Sequence, residues 1–161
     1  MTESQCLEAD WYVVGVRDGT LGRPADYVER HREACTSTGI VPDVNEYRTG
    51  RRSGLDQYCT TRSGLAMGRL GEYYENVCPE TLEPDFLRGY EMGREIYDVS
   101  SDIDWSRMQL RMVEEALEAS EDMSKKERKE AHEYRQTLKD DLAKLNKKLD
   151  RLERDAARTL R

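Results

Sequence analysis

The residues best able to do chemistry in this chain are four cysteines, Cys6, Cys35, Cys59 and Cys78, and two histidines, His31 and His132. The cysteines are widely spaced, without the short Cys-x2-4-Cys pair typical of a structural zinc site. His31 precedes Cys35 by four positions, so one helical face would carry both. That spacing suits a base beside a thiol nucleophile, or two ligands of one metal. The competing reading starts from the even cysteine count in a small, weakly cored chain, which favours two disulfides and an oxidising compartment. A bonded Cys35 is no nucleophile, and His31 then becomes a surface histidine on a helix with a structural cysteine. Asp10, Asp18 and Glu33 offer carboxylates, but among 33 acidic residues their spacing is no signature. His132 lies in a Lys/Glu-rich stretch and reads as solvated. Gly15-x3-Gly19-x2-Gly22 has neither the dinucleotide-binding spacing nor the Gly-Lys-Ser/Thr ending of a phosphate loop. No catalytic set, no metal set and no cofactor motif follow, and the chain reads as non-enzymatic. A cytosolic metal or redox module built on the four cysteines and His31 is the less favoured alternative.

What would position these residues is unusual, because Leu, Ile, Val and Phe make up only 28 of the 161 residues. That level, with a net charge of -7, leans towards disorder unless something besides an aliphatic core holds the chain. Residues 6–19 read as one helix and Gly19 to Pro24 as a break. Pro24 fits the first turn of a second helix, 24–38, ended by Gly39. An antiparallel hairpin of these two would bring Cys6 and Cys35 together at its open end. Among the three connectivities that four cysteines allow, this favours Cys6–Cys35 and leaves Cys59–Cys78. Each bridge would contribute about 3–4 kcal/mol by constraining the unfolded chain.

All 11 glycines fall between Gly15 and Gly93. Gly15, Gly19, Gly50, Gly54, Gly68, Gly89 and Gly93 sit in Gly-x3-Gly steps, with Gly64 preceding Gly68. Glycines at i and i+4 share one helical face and allow close approach of a backbone or a ring. Trp11, Tyr47 and Phe86 each stand shortly before one of the blocks and are nearly evenly spaced along the chain. The pattern predicts a degenerate repeat of a single helical unit, with aromatic rings lying in glycine grooves. Eight of the nine tyrosines precede residue 98, and Tyr73 with Tyr74 suggests a stacking surface for glycan or peptide.

After Gly93 no Gly or Pro interrupts the chain. Ser101-x2-Asp104 and the capping box Ser124-x2-Glu127 mark two helix starts. Leu138, Leu142, Leu145, Leu149 and Leu152 recur by four and three as a coiled-coil seam. It serves either a homodimer or packing on the same chain. Trp105, Met108, Met112, Ala116, Ala119 and Met123 share one face, with Ile103, Leu110 and Leu117 nearly opposite. A helix apolar on two sides is expected to be sandwiched, between the Cys/Gly part and the Leu seam. The expected architecture is all-α. A small disulfide-stapled domain with Gly-x3-Gly helices, residues 1–97, is followed by a charged helical hairpin or coiled-coil arm, residues 98–161.

An acidic chain with a pI near 5.0 lacks the positive footprint of a nucleic-acid binder. No apolar run reaches membrane-spanning length and no signal-peptide stretch follows Met1. Taken literally, this means cytosolic; the other reading is that a signal segment was removed. Here a resemblance bears on the choice. Cys6-x3-Asp10-Trp11-x3-Gly15-x2-Asp18-Gly19-x2-Gly22, His31-x3-Cys35, Pro42-Asp43, Tyr47-x2-Gly50-x3-Gly54-Leu55-x2-Tyr58-Cys59, Gly68-x2-Gly71-x2-Tyr74-x2-Val77-Cys78-Pro79 and Phe86-x2-Gly89-Tyr90-x2-Gly93 resemble an uncharacterised bacterial envelope family. The resemblance spans residues 6–97. It implies a periplasmic or lipid-anchored protein without an assigned activity, touching a membrane only through an N-terminal anchor that this chain lacks. Partners expected on this reading are a second copy, through the C-terminal helix, or another envelope protein.

Overall fold

The computed structural model describes residues 1–119 and 123–160, and the fold is all-helical, without strands among the described residues. Seven α-helices follow one another among them: α1 Glu3–Leu7, α2 Trp11–Thr20, α3 Val28–Ala34, α4 Val44–Tyr58, α5 Thr61–Arg69, α6 Glu83–Ala119 and α7 Lys125–Thr159. Side-chain caps fix most of the starts. Asp10 accepts from Val13 N at 3.0 Å, Asp43 from Asn45 N and Glu46 N, and Thr60 from Ser63 N. Ser124 and Glu127 form the expected capping box.

The Asp10 cap also corrects the first helix. Residues 6–19 do not run as one element, because Asp10 is extended and starts a new helix, leaving Cys6 in the separate α1. The expected helix 24–38 is likewise divided. Pro24 leads into a 3₁₀ turn, α3 covers only Val28–Ala34, and a second 3₁₀ turn runs over Thr36–Thr38 before Gly39 at φ 70°. Hydroxyls compete for the backbone there: Thr36 donates to Arg32 O and Thr38 to Cys35 O, the local bonding that weakens helix ends. The hairpin of α2 with the second segment is absent as well, since the main partner of α2 is α4. Cys6 and Cys35 nevertheless form one disulfide and Cys59 and Cys78 the other.

Two helix pairs build the molecule, α2 with α4 and α5 with α6. Both cross with glycine backbones in direct contact. A Cβ at Gly15 would overlap the Tyr47 carbonyl, and one at Gly50 the Tyr12 carbonyl. In the second pair a Cβ at Gly64 would overlap the Phe86 carbonyl, and one at Gly89 the Thr61 carbonyl. Gly19 meets Gly54, and Gly68 meets Gly93, in the same reciprocal way. The repeating unit is therefore not a single helix but a pair. Residues 11–22 correspond to 60–71, and residues 47–58 to 86–97. Each unit has a cysteine just before its first helix bonded to a cysteine in the connection between its two helices. Rings do not fill the Gly-x3-Gly grooves, which are occupied by backbone. They cover instead the left-handed glycine after each first helix: Tyr58 on Gly22 and Tyr97 on Gly71.

α6 runs unbroken across residues 97 and 98, so the change in composition falls inside a helix. Ser101 starts nothing; it lies within α6 and donates to Tyr97 O. The arm is a hairpin of α6 and α7. Leu138 and Leu152 are buried and Leu142, Leu145 and Leu149 half-buried, and from Leu142 to Leu152 the seam joins Ile96, Val99, Ile103 and Leu65 in one core. Ion pairs Lys148–Glu95 (2.9 Å), Lys139–Glu114 (3.0 Å) and Arg69–Glu153 flank it. The sandwich expected for the first arm helix does not form. Ile103 is buried against α7, but Trp105 and Met112 are 59% and 61% exposed.

Candidate functional site

The two units have matching glycines and disulfides but differ in what lies between the helices. In the first unit the residue before Gly19 is Asp18, and the aromatic three before Gly50 is Tyr47. The matching residues of the second unit are Met67 and Phe86. Asp18 is 5% exposed and the only buried polar or charged side chain among the described residues. Its Oδ2 accepts from the Tyr47 hydroxyl at 2.9 Å and lies 2.7 Å from Nε2 of His31 on α3. Around the imidazole stand the rings of Tyr27 at 5.4 Å, Tyr47 at 6.0 Å and Trp11 at 6.4 Å between centroids.

Tyr47 is fully buried. Burial first, then the hydrogen bond to Asp18 and its charge, push the phenol far above its ordinary value. It therefore stays protonated and acts as a fixed donor to the carboxylate. Burial lowers the guanidinium of the neighbouring Arg51, which donates from Nε to Arg23 O at 2.7 Å and holds the start of the connection. Tyr90, at the matching position of the second unit, donates to Glu72 O at 2.9 Å. The backbone anchoring is thus shared by the units, and the acidic cluster is not.

One wall of the cluster opens into a hollow of about 570 Å³. Glu8 and Asp10 lie among its lining, with Arg17 and Arg23, and apolar Val13, Val14 and Leu21. Arg23 and Arg30 place their guanidinium groups 4.8 and 5.0 Å from the Tyr27 ring centroid, a cation–π arrangement. Chemically the cluster is a carboxylate orienting an imidazole, whose second nitrogen can donate or accept a hydrogen bond. The Cys35 sulfur is in a disulfide, so the base-and-thiol pair considered for His31 does not exist. Among the described residues no group of three His, Cys, Asp or Glu side chains is placed to hold a metal.

The sequence-based site residues fall elsewhere. Tyr73 and Tyr74 do not form one surface: Tyr73 is 76% exposed, whereas Tyr74 is buried against Phe86 at 4.6 Å. The Tyr74 hydroxyl donates to Glu83 Oε1 and accepts from Cys78 N, both at 3.0 Å. Burial and the Glu83 carboxylate push its phenol up to about 12. It is a core residue, part of the cluster of Leu55, Cys59, Cys78 and Phe86. Asp18 and His31 are both visible as candidates in the sequence, but their pairing is not. The signal that could have joined them is the two-helix register, which sets Asp18 against Met67 and Tyr47 against Phe86.

Fold and site together define a class: an all-α protein of two glycine-zipped, disulfide-stapled helix pairs, with a polar cluster in the first pair and a helical arm after the second. A family model described as a protein of unknown function (DUF2799) matches residues 10–95, more than half of the chain, and the chain belongs to that family. The matched span begins at the Asp10 cap and ends within α6, so it holds both helix pairs. No curated protein and no solved structure matches the chain.

Proposed function

We propose that the protein is a non-enzymatic component of the bacterial cell envelope, working in the periplasm, that binds a peptide segment of a partner in the hollow beside Asp18 and His31. The observation that carries this reading is the contrast between the units: both have a hollow beside the first helix, but only the first has a buried carboxylate there, hydrogen-bonded to Tyr47 and His31, where the second has Met67 and Phe86. Burying a carboxylate costs stability that a methionine would not, and a ligand-binding role accounts for keeping it. The two buried disulfides support an oxidising compartment. Peptide is favoured over glycan because sugar recognition needs an open aromatic face, and the Tyr27 ring already carries Arg23 and Arg30. The lining instead offers acids, arginines and aliphatic side chains, suited to an aliphatic segment with a basic and an acidic end.

The test is a nuclear magnetic resonance titration of the full chain with blocked pentapeptides of that pattern, and separately with cell-wall saccharide fragments. The expected result is peptide-induced shifts centred on Val13, Arg17 and His31, weakened about tenfold or more by Arg17→Glu with Arg23→Glu. Shifts centred on Tyr73, or a response only to saccharide, would overturn the reading.

A further inference from the structure

The face of α6 turned away from α7 carries Tyr97, Ser101, Trp105, Met108, Met112 and Ala116. Ile96, Val99 and Ile103 point the other way into the arm core. Trp105 and Met112 are more than half exposed, and Met108 is 38% exposed. No described part of the chain covers these three neighbouring large apolar side chains, an arrangement that marks a contact surface.

The spacing and the flanking charges together identify what fits there. Along the stripe the steps are four, four, three, four and four, the same sequence read from either end. A second copy laid antiparallel, with a two-fold axis between Ser106 and Arg107, would place every stripe position opposite another stripe position. Trp105 would face the partner's Met108, a sulfur–aromatic pairing. Large residues would meet small ones elsewhere: Met112 against the partner's Ser101, and Tyr97 against the partner's Ala116. In an antiparallel pair, flanks of the same side meet. Arg111 and Asp104 lie on one flank, and both are exposed. Each Arg111 would then reach the partner's Asp104, twice per pair. The helix pairs sit near Gly89 and Gly93, on the order of 25 Å along α6 from the axis at about 1.5 Å per residue. That distance keeps the hollow clear of the contact, whose near end is Tyr97, the ring that covers Gly71.

We propose that two copies of this chain associate antiparallel through this face of α6. The occupant is a second copy and not an unrelated helix, because the flanking charges are complementary to themselves, Asp104 being shared between the partner's Arg111 and Arg107 of its own helix at 3.5 Å. It does not depend on the hollow or its ligand. The contact is at the small end of specific interfaces, so association will depend on protein concentration.

Sedimentation velocity of the full chain over a concentration series tests it, with circular dichroism to verify folding of each variant. A reversible monomer–dimer equilibrium is expected. Arg111→Asp sets like charges opposite each other and should weaken the dimer at least about tenfold, as should Asp104→Arg. The double variant Asp104→Arg with Arg111→Asp should restore it, and Trp105→Ser should abolish it. A monomer at every concentration, a dimer indifferent to Trp105→Ser, or a double variant no tighter than the singles would overturn the proposal.

Discussion

Replacing Gly50 by alanine is expected to destabilise the protein by about 3 kcal/mol or more, and to leave it without a cooperative urea transition if the helices cannot separate. The added methyl would enter the Tyr12 carbonyl and lie about 3.0 Å from its Cα. These are backbone atoms of a helix held by its own hydrogen bonds, so no rotamer change relieves the overlap. Ordinary overpacking costs about 1–3 kcal/mol, and a clash of backbones falls at or above the upper end. Gly89→Ala should behave alike in the second pair, against the Thr61 carbonyl. Gly39→Ala is the control. An alanine there meets nothing within 4 Å and bears only the left-handed φ of 70°, a cost of about 1–2 kcal/mol. Equal losses for Gly50→Ala and Gly39→Ala would show that the helix crossing is looser than described.

The second large effect concerns the disulfides. Cys6–Cys35 and Cys59–Cys78 join residues 29 and 19 apart, and loop entropy assigns each about 3.5 kcal/mol. Packing then separates them. Cys59 and Cys78 lie in one core cluster with Leu55, Tyr74 and Phe86. Cys6 and Cys35 tie α1 to the turn after α3, which is held by few other contacts. Replacing Cys59 and Cys78 by alanine should therefore cost more than replacing Cys6 and Cys35, and the second change should mainly loosen α1 and α3. Urea unfolding gives the first comparison and amide hydrogen exchange the second. The unreduced protein should show no free thiol even when denatured. Four reactive thiols in a protein of unchanged stability would remove both the staples and the oxidising compartment from the account.

Much of this fold is legible in local chemistry. Ser124 and Glu127 mark the start of α7, the Leu138–Leu152 seam marks its buried face, and the i, i+4 glycines mark the crossings. What is not legible depends on partners far along the chain. The sequence 6–19 contains no Gly or Pro before Gly15, so nothing flags the break at Asp10 except a cap that any interior aspartate resembles. Trp105 and Met112 look like core residues by type, and only the path of α7 leaves them outside. Tyr73 and Tyr74 are adjacent and chemically identical, yet a ring partner, Phe86, draws one of them inside. For the site, the obstacle is the period. Aligning the chain on Trp11, Tyr47 and Phe86 compares α2 with α4 and α4 with α6. The informative comparison is α2 with α5, and it alone sets Asp18 against Met67, so that Tyr47 against Phe86 gains a partner departing from the same apolar pattern.

A structural role is the serious competitor for the cluster. The connection in the first unit, residues 21–43, is longer than that in the second, residues 70–82, and the bond from His31 to Asp18 also ties α3 to α2. The most direct measurement is urea unfolding of the triple variant Asp18→Met, His31→Leu and Tyr47→Phe, which gives the first unit the residues of the second at positions 18 and 47 and leaves no buried partner unpaired. If the cluster serves ligand binding, the variant should be as stable as the parent within about 1 kcal/mol, or more stable, because a buried charge has been removed. A loss of about 3 kcal/mol or more, the cost of breaking a buried polar pair that the fold requires, would contradict the account and make Asp18, His31 and Tyr47 a structural tether.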